Sequence, residues 1–221
     1  MDYLIMSSVG YLIGAIPFGA VAAWTAKRID VRDYGSGSIG VTNVLRTVGR
    51  PAAAAVLLLD MGKAILAVVL ARIFTDSPGV EAAAALAVLF GHIWPVFIGF
   101  KGGKGTASGW GVLLILSPLS GLVAMIVGVP LVTLTRYMSV GSVLAAIAGG
   151  TTLIVVAITG DVPTAYIWFG VIGVPLVVVR HRENIGKLFR GEERKIGQAA
   201  EVIRPRSEIN RHKGFRWPGS V

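Results

Sequence analysis

Thr106-Ala-Ser-Gly-Trp-Gly-Val-Leu-Leu-Ile-Leu-Ser-Pro118-Leu-Ser-Gly-Leu-Val-Ala-Met-Ile-Val-Gly-Val-Pro-Leu-Val-Thr-Leu-Thr-Arg136 runs thirty residues before its first charge. At about 1.5 Å per residue this is too long for one straight crossing of a ~30 Å hydrocarbon core and short for two full ones. Ser117-Pro118 decides the matter, because proline removes a helical hydrogen bond and starts a new helix well. The run divides into a short span, 106–117, and a second, 119–135. Every later segment would change sides without that division.

Five further apolar runs lie at 3–26, 51–74, 81–98, 140–159 and 164–179. Asp76-Ser77-Pro78-Gly79 and Gly160-Asp161-Val162-Pro163 turn the chain between them. Composition agrees: 54% of residues are hydrophobic, 15% are charged, and mean hydropathy is +0.72. A soluble domain carries about 25% charged residues. The reading is an all-α membrane protein with seven transmembrane helices. The first run is preceded only by Asp2 and followed by Lys27-Arg28, the reverse of a secretory signal, so it is expected to stay as an uncleaved span.

Charge fixes the orientation. With the N-terminus outside, the inner segments 27–50, 99–105, 136–139 and 180–221 hold 19 of the 21 Lys and Arg. The exceptions, Lys63 and Arg72, fall in the second span, and the outer turns carry only Asp76, Glu81 and Asp161. This is a strong positive-inside pattern, with the C-terminus cytoplasmic. Residues 192–221 are basic and lack periodicity. They are expected to be a disordered cytoplasmic tail drawn to anionic lipid headgroups, and residues 1–191 the membrane domain.

Four inner stretches carry more polar residues than topology needs. Gly35-Ser-Gly-Ser-Ile-Gly-Val-Thr-Asn-Val-Leu-Arg46 matches GxGxxG, but that fingerprint needs a preceding strand and a βαβ unit. What remains is a glycine–hydroxyl turn suited to an anion, with Arg46 able to pair bidentately with phosphate, or else a tight turn with a surface arginine. Gly91-His-Ile-Trp-Pro-Val-Phe-Ile-Gly-Phe-Lys101-Gly-Gly-Lys104-Gly105 is either an oxyanion site of exposed N–H groups and lysines or a loop whose lysines only set topology. It is not a Walker A loop, since Gly105 stands where Ser or Thr should follow Lys104. His92 reads as an acid, a base or a structural histidine. Ser142, after Thr135-Arg136-Tyr137, is a ligand or a helix cap. In Arg180-His181-Arg182-Glu183-Asn184-Ile185, His181 and Asn184 share a helix face, as a proton-handling pair or a basic cap. Asp60 and Lys63 share a face within the second span, where buried charges are usually paired.

Other chemistry is missing from the sequence. There is no cysteine, and His92, His181 and His212 lack a ligand spacing, so neither a metal site nor a cofactor is expected. No His-x-x-x-x-Asp pair of the best-known glycerolipid acyltransferases occurs, and no Gly-x-Ser-x-Gly elbow.

Taken together, the stretches 35–46, 91–97 with 100–105, and 180–185 resemble the bacterial acyl-phosphate:glycerol-3-phosphate acyltransferase family, an inner-membrane enzyme family. Asp60-Met61-Gly62-Lys63, Thr135-Arg136-Tyr137 and Gly141-Ser142 add to the likeness, which covers about residues 1–193. The resemblance implies a seven-span fold with its active site on the cytoplasmic face. It also implies transfer of a fatty acyl group from acyl phosphate to the 1-hydroxyl of sn-glycerol 3-phosphate, giving lysophosphatidic acid and phosphate. By that likeness Ser36 and the backbone of Gly35, Gly37 and Gly40 hold acyl phosphate, with Asn43, Gly102 and Gly103 also in the substrate site. Arg46, Lys104 and Ser142 hold glycerol phosphate, and His181 and Asn184 orient its hydroxyls. No protein nucleophile is implied, and membrane lipid rather than nucleic acid is the expected surrounding. Ser38, Thr106 and Gly186 depart from the residues usual in the family, and none of them removes a charged ligand. The competing readings are a transporter of organic phosphate, which predicts polar residues along several spans and often a repeat, and a lipid-binding scaffold without turnover.

Overall fold

The computed structural model describes residues 1–203; the rest of the expected tail, 204–221, lies outside the described residues. Ten α-helices account for most of the described residues: α1 (Asp2–Ala15), α2 (Phe18–Lys27), α3 (Val41–Thr47), α4 (Arg50–Thr75), α5 (Pro78–Ile93), α6 (Thr106–Leu116), α7 (Pro118–Thr135), α8 (Met138–Thr159), α9 (Val174–Arg180) and α10 (Arg182–Phe189). Among the described residues the one sheet-like feature is an antiparallel bridge between Tyr34 and Val202.

Five helical segments are long and apolar enough to cross a bilayer: Asp2–Lys27, Arg50–Thr75, Pro78–Ile98, Pro118–Thr135 and Met138–Thr159. Thr164–Arg180 with Arg182–Phe189, bent by 50°, makes a sixth. The first segment is broken at Ile16-Pro17, where proline has no N–H to continue the ladder. The deciding run divides where the sequence places the division. Ser117 caps α7 by accepting the Ser120 amide at 3.2 Å, and Pro118 takes the first helical position.

Helix α6 is shorter than a span needs: eleven residues, about 16 Å. The chain leading into it explains this. Gly102 donates to the Ile93 carbonyl at 3.2 Å and Gly103 to the His92 carbonyl at 3.1 Å, so the loop folds back along the end of α5. Helix α6 therefore starts beside Ile93, recessed behind the end of the apolar segment at Ile98.

Small residues let the helices approach closely, as association within a bilayer requires. A Cβ at Gly111 on α6 would lie 2.6 Å from the Met61 carbonyl oxygen of α4, and one at Gly128 on α7 would lie 2.8 Å from Ala145 Cβ on α8. The core between them contains Val88, Leu89, Ile93, Leu113, Leu153 and Phe169, all buried. The two cations that broke the positive-inside pattern are both paired. Lys63 lies 2.7 Å from Asp60 and donates at 2.9 Å to the Ile16 carbonyl at the break in the first segment. Arg72 lies 2.8 Å from Glu81, which also accepts the Tyr166 hydroxyl at 2.7 Å, tying α4 and α5 to the turn before α9.

Candidate active site

The four polar stretches meet at one end of the bundle and line one cavity of about 310 Å³. Its wall includes Ser36, Arg46, Lys104, Ser142, His181 and Asn184 at the polar end. It continues between helices along Leu113, Met125, Val129, Val132, Ala146 and Val174. A polar pocket opening into an apolar groove suits an amphiphile.

The polar wall is a chain of contacts. Lys104 Nζ donates to Asn184 Oδ1; Asn184 Nδ2 donates to Glu193 Oε1 at 2.8 Å; Glu193 Oε2 accepts the Ser139 hydroxyl at 2.6 Å. His181, 4% exposed, donates Nδ1–H to the Val177 carbonyl at 2.8 Å, which fixes the ring and leaves Nε2 available. Arg46 donates Nη2–H to the Arg194 carbonyl at 2.7 Å, while its Nε is buried without a partner among the described residues. The hydroxyls of Ser36 and Ser142 also have no partner among the described residues. An anion would engage these orphaned donors.

Electrostatics point the same way. Burial pushes the Lys104 ammonium down to about 8, against the raising effect of Glu193 and Glu183. Burial and the Arg194 charge hold Arg46 below its ordinary value. Two cations raised in energy by a low-dielectric pocket are stabilised when a phosphate arrives. Among the described residues no three His, Cys, Asp or Glu side chains group as a metal site would need.

The glycine amides do not form the cradle expected of them. Gly102 and Gly103 spend their N–H groups on α5, Gly35 donates to the Glu201 carbonyl at 2.9 Å, and Gly37 to the Tyr34 carbonyl at 3.0 Å. None of these four glycines lines the cavity. Gly102 and Gly103 are small because a Cβ at either would run into His92. Gly40 and Asn43 do line the cavity, but Gly40 donates to Ser38 Oγ at 3.2 Å. Asn43 gives its amide hydrogens to the Val31, Tyr34 and Ser38 carbonyls and accepts the Ser36 N–H. Asn43 shapes the loop that presents Ser36. Of the predicted groups, those that face the cavity without a partner among the described residues include the Ser36 and Ser142 hydroxyls and the Arg46 Nε. Lys101 is exposed and off the cavity, while Glu183 is exposed.

Glu193, 7% exposed, was missed. It lies in the non-periodic basic stretch that reads as tail. The signal available in the sequence was a cluster of cations with no carboxylate assigned to balance it. Residues 192–203, expected to be disordered, instead fold back over the loops, because backbone groups there find partners that no side-chain pattern advertises.

The fold and cavity define an integral-membrane protein with a recessed, cation-lined polar pocket opening into an apolar groove. The chain belongs to the glycerol-3-phosphate acyltransferase family, whose profile matches residues 4–191. It is 44% identical over 197 residues to "Glycerol-3-phosphate acyltransferase" of Parasynechococcus marenigrum (strain WH8102), covering 89% of this chain and 91% of that protein. It is 39% identical over 202 residues to the protein of that name from Thermoanaerobacter pseudethanolicus, covering 91% and 100%. Among solved structures it resembles PlsY (YgiH), described as an integral membrane glycerol 3-phosphate acyltransferase. The glycerol 3-phosphate form gives a TM-score of 0.81 at 36% identity, covering 89% of this chain and 96% of that one. The lysophosphatidic acid form gives 0.80 at 35%, with the same coverage.

Proposed function

We propose that this chain transfers a fatty acyl group from acyl phosphate to the 1-hydroxyl of sn-glycerol 3-phosphate, giving lysophosphatidic acid and inorganic phosphate. One observation carries the assignment: Ser36, Arg46, Lys104, Ser142, His181 and Asn184, from four separate stretches, line one cavity that continues into an apolar groove. The groove takes the acyl chain. Ser36 holds the acyl-phosphate head; Arg46, Lys104 and Ser142 hold the glycerol phosphate; His181 and Asn184 orient its hydroxyls.

The 1-hydroxyl oxygen attacks the acyl carbon, a C–O bond forms, and the bond from that carbon to the phosphate oxygen breaks. The proton leaves with a phosphate oxygen. Acyl phosphate is an activated anhydride, so alignment and oxyanion stabilisation suffice without a protein nucleophile. The chain is read as seven-pass in the bacterial inner membrane, N-terminus outside, with the site facing the cytoplasm. The charge distribution supports this, with α6 as the short crossing that its recessed start permits.

Purified protein given radiolabelled glycerol 3-phosphate and palmitoyl phosphate should release labelled lysophosphatidate. Absence of product, with uptake of phosphate ester into proteoliposomes, would establish the transporter instead. The pH profile follows from Lys104. The free protein holds this ammonium charged below about 8 and neutral above it. kcat/KM for glycerol 3-phosphate should therefore fall as pH rises through about 8. The decline in kcat should come at higher pH, because a bound phosphate favours the charged lysine. Identical profiles for wild type and Lys104→Arg would remove the lysine from that role.

A further inference from the structure

The family match ends at residue 191, yet the chain from Glu193 to Ile203 is stitched across the mouth of the site. Its first anchor is reciprocal: Ile196 donates its amide to the Arg136 carbonyl at 2.8 Å, and Arg136 Nη2 donates to the Ile196 carbonyl at 2.8 Å. Lys195 Nζ stands 5.5 Å from the centre of the Tyr137 ring. The second anchor is on the glycine–serine loop. Gly35 donates to the Glu201 carbonyl at 2.9 Å, Ile203 donates to the Asp33 carbonyl at 2.9 Å, and Tyr34 bridges to Val202. Two residues before the first anchor, the Arg194 carbonyl accepts from Arg46 Nη2 at 2.7 Å.

We propose that residues 194–203 form a positioning strap: the Arg194 carbonyl holds the Arg46 guanidinium by one amino group and leaves its buried Nε–H for the phosphate ester of the acceptor. This rests on the glycerol-phosphate reading of the cavity. The strap positions the site without plugging it, since no residue from 194 to 203 lines the cavity. Its two cations are occupied, Arg194 pairing with Glu201 and Lys195 lying over the Tyr137 ring. Helix α3 is held in place by buried Val44, but a long guanidinium side chain projecting from it samples many rotamers. One backbone acceptor at the right place removes most of them before substrate arrives.

The tests use backbone substitutions in the full chain. Ile196→Pro and Ile203→Pro each delete one anchoring N–H, at opposite ends of the strap. Ile196→Ala and Ile203→Ala keep the N–H and lose only side chain. Binding of glycerol 3-phosphate to detergent-purified protein, by equilibrium dialysis, should weaken about tenfold or more in the proline variants, the size of one hydrogen bond to a charged group. The alanine variants should stay within about twofold of wild type. In an Arg46→Ala background the proline changes should add almost nothing, because both act through one guanidinium. In wild type, saturating glycerol 3-phosphate should slow hydrogen exchange at the Gly35, Ile196 and Ile203 amides. Wild-type affinity in both proline variants, an equal loss with Arg46 absent, or no added exchange protection overturns the strap. A wild-type protein that neither binds nor acylates glycerol 3-phosphate fails the acyltransferase reading itself.

Discussion

Lys104→Ala should lose about two to three orders of magnitude in kcat/KM for glycerol 3-phosphate while the protein remains folded. The expected size follows from where the ammonium lies. It is half-buried at the polar end of the cavity, bonded to Asn184, and its pKa is held down to about 8 by burial. A charge in such a place is worth more to a bound phosphate than a surface lysine is. Folding is a separate matter. The depressed pKa means the folded protein holds this cation at a penalty, fully present below pH 8. That penalty is relieved as pH rises from about 8 towards the ordinary value of 10.5. Alanine removes the penalty and leaves Asn184 Oδ1 without its donor, which costs about 1–3 kcal/mol. The two effects oppose, so thermal unfolding in detergent should move little. Lys104→Arg keeps the charge but not the compact donor geometry and should fall between. Turnover by the alanine variant at the wild-type rate would show that the ammonium does not contact the substrate.

Asp60→Ala is expected to destabilise the fold by about 3–5 kcal/mol, the cost of stranding a buried partner charge. Lys63 is 3% exposed and Asp60 1%, with 2.7 Å between their charged atoms. Remove the carboxylate and Lys63 is left with the Ile16 carbonyl and the face of Phe18, neither of them an anion. The double variant Asp60→Ala/Lys63→Met removes both charges and should recover much of the loss, a coupling that additivity would not give. Unfolding midpoints of wild type, Asp60→Ala, Lys63→Met and the double variant in one detergent decide this. If the single and double variants melt together, the pair contributes little. Asp60 also lies 3.5 Å from His92, whose carbonyl anchors Gly103 next to Lys104. The stable double variant should consequently still show a raised KM for glycerol 3-phosphate.

Much of the fold was legible because bilayers impose simple constraints. Apolar runs of fixed length mark helices, and Ser117-Pro118 marks a stop and a start in one dipeptide. The convergence of the polar stretches was legible too, since 19 of the 21 Lys and Arg fall in four segments outside the apolar runs. The direction of each amide was not. Whether Gly102 and Gly103 face a ligand or the end of α5 depends on two carbonyls, those of Ile93 and His92, brought close only by the tertiary fold. Asn43 reads as a polar ligand, yet its amide holds three carbonyls of its own loop. Glu193 was hidden because its partners, Asn184 and Ser139, lie 9 and 54 residues away in sequence, and the strap because it is fixed by backbone partners, which leave no periodic trace in side chains.

The turn of the chain back along α5 has a consequence for work at different ionic strengths. Mobile ions screen charges in open solvent over about 10 Å at 0.1 M salt. They crowd less closely around an ammonium that is half-buried beside Asn184. Sodium chloride should therefore slow the arrival of an anionic substrate at the mouth far more than it loosens one already seated. The enzyme would keep its grip on glycerol phosphate between low and moderate salt.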